Sequence, residues 1–155
     1  MGVRKVVLLL ISIGFICLAG CGNRNTSVTK SETDKEDTEI ENSDDTEVEE
    51  NMVMSINGTV VPVTWEDNDS VKELSDLAKN GLEISMSMYG GFEQVGSIGS
   101  SIARDDEQTT TEPGDIVFYS GNQLVVFYGS NSWAYTKLGK IELPEDELTN
   151  ILSNG

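Results

Sequence analysis

The chain has 155 residues, a net charge of −17 and no histidine. Without imidazole, Ser-His-Asp and Cys-His nucleophilic centres and His-ligated zinc are excluded. After position 50 the only basic residues are Lys72, Lys79, Arg104, Lys137 and Lys140. No basic face is available to neutralise a phosphate backbone, so nucleic acid is not an expected partner.

The N-terminus reads as an address. Arg4 and Lys5 form a positive segment, and Val6 to Cys17 is an apolar run too short for a comfortable membrane span. Leu18-Ala19-Gly20-Cys21 follows, with small residues where a signal peptidase needs them. This ending resembles a bacterial lipobox. The resemblance implies cleavage before Cys21, a diacylglycerol thioether on its sulfur, and lipid anchoring at the extracytoplasmic face of the cell membrane. Two or more acyl chains hold a protein stably, at about 0.8 kcal/mol per buried methylene. The expected divisions are a lipoprotein signal peptide over 1–20, the lipidated cysteine and an acidic linker over 21–51, and a folded domain over 52–155. Cys17 leaves with the signal and Cys21 carries lipid, so no free thiol remains, which suits an extracytoplasmic location.

From Gly22 to Asn51 the chain is Asn, Thr, Ser, Asp and Glu with almost nothing apolar. Such a segment cannot bury enough surface to offset the entropy of ordering it, and its like charges favour extension. It reads as a disordered acidic linker. The Asp-x-Asp-x-Asp-Gly loop of a calcium site is absent, and no metal or cofactor is expected.

The domain opens with alternating residues from Met52 to Ile56, an Asn57-Gly58 hairpin turn, and a return strand from Thr59 to Trp65. Pro62 cannot donate to a ladder and belongs at an edge or a bulge. Ser70 and Glu73 fit a capping box for a helix whose apolar stripe is Val71, Leu74, Leu77 and Ala78. This helix is expected to cover the outer face of the central hairpin or to plug one end of a barrel. Asn80-Gly81 stops it. Leu82 to Met88 alternates as a half-buried strand. Tyr89-Gly90-Gly91-Phe92 breaks it, and glycine-rich extended chain runs on to Gly99. Ser100 to Thr111 reads as polar and irregular.

The densest signal is Gly114 to Trp133. Asp115–Tyr119 and Gln123–Tyr128 are branched and aromatic, with Ser120-Gly121-Asn122 as the turn. Both strands are apolar at nearly every position, which predicts cover on both faces. Trp133 to Thr136 is a further short strand. Pro144, followed by Glu145, Asp146 and Glu147, starts a C-terminal helix with Leu148, Ile151 and Leu152 inward.

Several of these segments together resemble a bacterial cyclophilin-like family of small β-barrels. They are Tyr89-Gly90-Gly91-Phe92-Glu93, Thr111 to Val117, Gly121-Asn122-Gln123, Tyr128 to Trp133, and Leu138-Gly139-Lys140-Ile141. The resemblance spans about Met52 to Leu152. It implies a mainly β fold, a closed antiparallel barrel with two short helices, and leaves the activity open. Peptidyl-prolyl isomerases of the cyclophilin fold use an arginine near a phenylalanine, a glutamine, a tryptophan and a histidine. No histidine exists here, Arg104 lacks the flanking pattern, and none of those roles carries over.

The candidate ligand-binding residues are the turn-proximal aromatics Tyr89, Phe92, Tyr128, Trp133 and Tyr135, the polar Asn131 and Ser132, the acid Glu93, and Arg104 as the domain's one guanidinium. Gln94 is a further amide within reach. Aromatic walls with a few convergent polar groups are what a small-ligand or peptide groove uses. Asn131, Ser132 and Trp133 are the expected centre of such a site. The function expected is a membrane-anchored lipoprotein that binds a small molecule or peptide. The alternative is a peptidyl-prolyl isomerase or folding helper for secreted proteins. No catalytic residue is assigned.

Overall fold

The computed structural model describes residues 3–11 and 51–153. Cys21 and the expected acidic linker lie outside them, except Asn51, the last linker residue, which instead opens the strand Asn51–Ile56 of the domain. The chain folds as a mainly β, nearly closed antiparallel barrel with two helices. In chain order the elements are β1 (Arg4–Ile11), β2 (Asn51–Ile56), β3 (Thr59–Val61), β4 (Val63–Trp65), α1 (Asp69–Ala78), β5 (Leu82–Tyr89) and β6 (Glu93–Ser97). They continue with β7 (Glu107–Thr110), β8 (Asp115–Tyr119), β9 (Gln123–Phe127), β10 (Ser132–Ile141) and α2 (Glu145–Ser153). The strand order is β3-β2-β1-β5-β6-β9-β8-β10-β4, with β7 added to β10.

The two ends of that order are consecutive in sequence. β3 pairs with β2, β4 pairs with β10, and only Pro62 separates them. A residue without an N–H sits where the chain changes partner, so no ladder donor is lost. Its carbonyl still accepts from Glu142 N–H at 2.9 Å. Asn57 and Gly58 both have positive φ, as a tight hairpin turn of the twist-matching hand requires.

Leu8, Met54, Ile84, Met86, Ile116, Phe118, Leu124, Val126 and Leu138 fill the barrel. Both helices pack on this same core, through Leu74 and Ala78 of α1 and Leu148 and Leu152 of α2. Of the two places expected for the first helix, the barrel core is the one it takes. Outside the barrel wall a second apolar cluster forms from Val117, Val125, Phe127 and Tyr135, with Phe92, Val95 and Tyr119 against it. The β8–β9 hairpin is thus apolar on both faces because each face has its own cluster. Fully burying one such side chain contributes about 1.5–3 kcal/mol.

Local chemistry departs from the sequence reading in four places. Asn68, not Ser70, caps α1, accepting from Val71 N–H at 2.9 Å. Ser70 and Glu73 instead clamp the loop beyond β6: Ser70 donates to Ala103 O at 2.8 Å and Glu73 accepts from Ala103 N–H at 2.8 Å. The polar stretch before Thr111 contains β7, which pairs with Ser132–Tyr135 of β10. Its residues lack apolar alternation because the strand sits at an edge. The short strand read at Trp133 to Thr136 runs on to Ile141 as β10, with a register shift between Lys137 and Gly139 against β8.

Residues 4–11, read as part of a secretory leader, form β1 between β2 and β5. Val6 and Leu8 are fully buried there. Arg4 is also buried, and its Nε and one terminal nitrogen have no hydrogen-bond partner among the described residues.

Candidate functional site

Alternation along the wall strands sends one set of side chains into the barrel and the other outward. Gln94 points inward, donating from Nε2 to Leu152 O at 2.6 Å, and so takes no part in any outer groove. Its neighbours Glu93 and Val95 therefore face outward. Next to them on β9 are Phe127 and Val125, their register partners. The outer apolar cluster leaves a cleft of about 350 Å³ over this face. Val95, Val125, Gln123 and Tyr119 line its wall-strand side. Tyr135 and Trp133 of β10, Asn131 before it, and Tyr89 at the end of β5 complete the lining, with Glu93 among them.

The aromatic part is held by ring packing. Tyr119 and Tyr135 meet edge-to-face with centroids 5.8 Å apart, and Phe127 meets Tyr135 in the same way at 5.7 Å. Phe92 stacks on Phe127 at 6.4 Å and supports the cluster without lining the cleft. Such pairs contribute about 0.5–1.5 kcal/mol beyond area burial. Tyr89 and Trp133 are 69% and 57% exposed and form a rim.

Asn131 is fixed from two sides. Its N–H donates to Thr111 Oγ1 at 3.0 Å and its carbonyl accepts from Thr111 N–H at 2.8 Å. Thr111 is itself fully buried. Asn131 Oδ1 accepts from Ser132 N–H, which leaves Nδ2 to donate to the Tyr135 hydroxyl at 3.0 Å. The Tyr135 oxygen thus accepts, and its own proton is free to be donated into the cleft. Burial, and then the charge of Glu93, push the Tyr135 hydroxyl up from its ordinary value.

Glu93 is the one acid in this lining and is only 6% exposed. Among the described residues nothing donates a hydrogen bond to its carboxylate and no cation pairs with it. Burial raises its pKa above the ordinary carboxylate value. Among the described residues the lining offers a shaped apolar surface, one buried acid, and hydroxyl and amide groups.

Of the residues expected at a site, the fold brings together Tyr89, Glu93, Asn131, Trp133 and Tyr135. Phe92 lies behind them. Tyr128 belongs to the barrel core, its hydroxyl buried without a partner among the described residues. Ser132 is exposed and bonds Thr110 Oγ1 at 2.6 Å across the β7–β10 pair. Arg104 is outside the cleft, ion-paired to Asp106, which also accepts from Thr136 Oγ1 at 2.6 Å. The Arg104 partnership draws the Asp106 carboxyl below its ordinary value. Tyr119, Gln123, Val95 and Val125 were not anticipated. The outward parity of Tyr119 and Gln123 beside Val125 was the signal that could have found them. Among the described residues no group of three or more His, Cys, Asp or Glu could hold a metal ion.

The barrel, its two helices and the outer cleft define the class, and the cyclophilin-like family model matches residues 54–155. The chain belongs to the cyclophilin-like family. Comparison with curated proteins and with solved structures returned no match.

Proposed function

We propose that this protein is a lipoprotein anchored through Cys21 at the extracytoplasmic face of the membrane, and that its cyclophilin-like domain binds a small molecule or short peptide in the outer cleft. The observation that carries the binding reading is Glu93, nine-tenths buried and unpartnered at an aromatic-lined cleft. An unpaired buried polar group costs stability. A ligand carrying a donor or a positive charge supplies the partner that Glu93 lacks among the described residues.

The anchoring reading is supported by the charged start, the apolar run and the Leu18-Ala19-Gly20-Cys21 ending. The poor fit of Arg4 inside the barrel supports it too. A guanidinium buried without full pairing costs several kcal/mol, so Arg4 counts against β1 as a permanent strand. On this reading β1 is present in the precursor and is lost with the leader.

The experiment is mass spectrometry of what co-purifies with the full chain from its own host, followed by titration of the recovered compound. Binding that is lost in a folded Trp133→Ala variant supports the cleft as the site. Binding unchanged by that variant sinks it. A catalysed rate in a chymotrypsin-coupled proline-peptide assay would replace the binding reading with the isomerase one.

A further inference from the structure

The occupant of the cleft can be narrowed by charge, and the narrowing rests on the ligand-binding reading above. Glu93 supplies a carboxylate, and among the described residues no Lys or Arg lines the cleft to neutralise it. Glu93 is the one carboxylate of the lining, and among the described residues no group of three or more His, Cys, Asp or Glu could hold a metal ion. Around it stand Tyr119, Tyr135, Trp133 and Tyr89, and aromatic rings attract cations through their quadrupole. A cation that brings its own alkyl groups suits both features. Its charge satisfies Glu93, and its methyl groups replace water against the rings. A neutral ligand leaves the carboxylate unpaired. An anion meets both the carboxylate and the field of a chain with net charge −17.

We infer that the cleft binds an organic ammonium ion, preferably alkylated, with its charged head against Glu93 and its alkyl groups among Tyr119, Tyr135 and Trp133. The raised Glu93 pKa agrees with this, because a cation held against the buried carboxylate would favour its ionised form.

The test compares choline with its uncharged isostere 3,3-dimethylbutan-1-ol by calorimetric titration of the full chain in maltoside detergent. An N-trimethyllysine peptide is a third probe, and it distinguishes a peptide source of the head from a small molecule. The expected result is that choline or the peptide binds at least about tenfold tighter than the isostere near neutral pH, equivalent to about 1.4 kcal/mol. Glu93→Gln should abolish that preference, and Trp133→Ala should weaken both cation and isostere. Equal binding of cation and isostere to the wild type overturns the inference, as does undiminished preference in Glu93→Gln. If no cation binds but the host-purified protein carries a neutral ligand in the cleft, the inference fails and the binding reading stands. If no probe binds and the purified protein is empty, both fail.

Discussion

Asn131 Nδ2 donates to the hydroxyl of Tyr135, four residues further along the chain, at 3.0 Å. The contact ties the loop before β10 to the ring that stands between Tyr119 and Phe127. It explains why a polar loop residue belongs to an otherwise aromatic site. The amide occupies a lone pair on the hydroxyl and orients the one proton that Tyr135 can offer.

Removing that amide should therefore be felt at the ring. Asn131→Ala is expected to cost about 1 kcal/mol in urea unfolding. The hydrogen bond from Asn131 lowers the Tyr135 pKa against burial. Its loss should move the Tyr135 ionisation further up in an alkaline absorbance titration. Tyr135→Phe should abolish that ionisation, and an unshifted titration in Asn131→Ala would refute the orienting role.

Glu93 gives a pH signature. Its folded pKa lies above the ordinary 4.5, so the folded state prefers the protonated acid. The stability this contributes is fully present below the unfolded pKa and is lost as pH rises through the folded one. Glu93→Gln keeps the neutral shape at every pH. The melting temperature of Glu93→Gln should match wild type in acid and exceed it increasingly as pH rises above about 4.5. Tyr128 and Tyr135, the titratable groups that sense Glu93, are neutral throughout that range. A difference that stays flat with pH would contradict the buried-acid account.

The Arg104 cluster should behave as structure. Thr136 is buried; its hydroxyl accepts from Asp105 N–H at 2.9 Å and donates to Asp106. Thr136→Val keeps the shape, strands the Asp105 N–H and leaves Asp106 with Arg104 alone, at an expected cost of about 1–3 kcal/mol in urea unfolding. Arg104→Ala should leave affinity for the cleft ligand unchanged in calorimetry. A tenfold loss of affinity would return Arg104 to the site.

The N-terminal strand makes the anchoring reading measurable. Cys21→Ser should accumulate as an uncleaved precursor that takes up no radiolabelled fatty acid. In that precursor, backbone amides of β2 and β5 facing β1 should exchange slowly. In the processed wild type they should exchange faster, because the strand between them has gone and the flanking Met54, Ile56, Ile84 and Met86 lose its cover. Labelled Cys21→Ser, or equal protection in both forms, would contradict this.

Much of the barrel was legible locally. Alternation marked β2 and β5, Asn57-Gly58 fixed one hairpin, and the branched and aromatic run from Asp115 to Tyr128 marked another that would be covered on both sides. These features depend on neighbours in sequence, where turn chemistry and side-chain parity act. The capping box was misread for a specific reason. Ser70 and Glu73 have the right spacing, but Ala103, distant in sequence, competes for both side chains, and Asn68 caps instead. β7 was invisible because an edge strand paired at one side needs no apolar pattern.

What the sequence determined by itself was the class of fold, the exclusion of histidine chemistry, and the aromatic and acidic stock from which a site could be made. Only the tertiary structure decided which of those residues meet. Gln94 and Tyr128 turn inward and Glu93 and Tyr119 outward because strand parity is counted from the register, and the register is set by pairing between β6, β9, β8 and β10. The same parity leaves Glu93 buried without a partner, a consequence of packing from four strands that no single stretch of the chain contains.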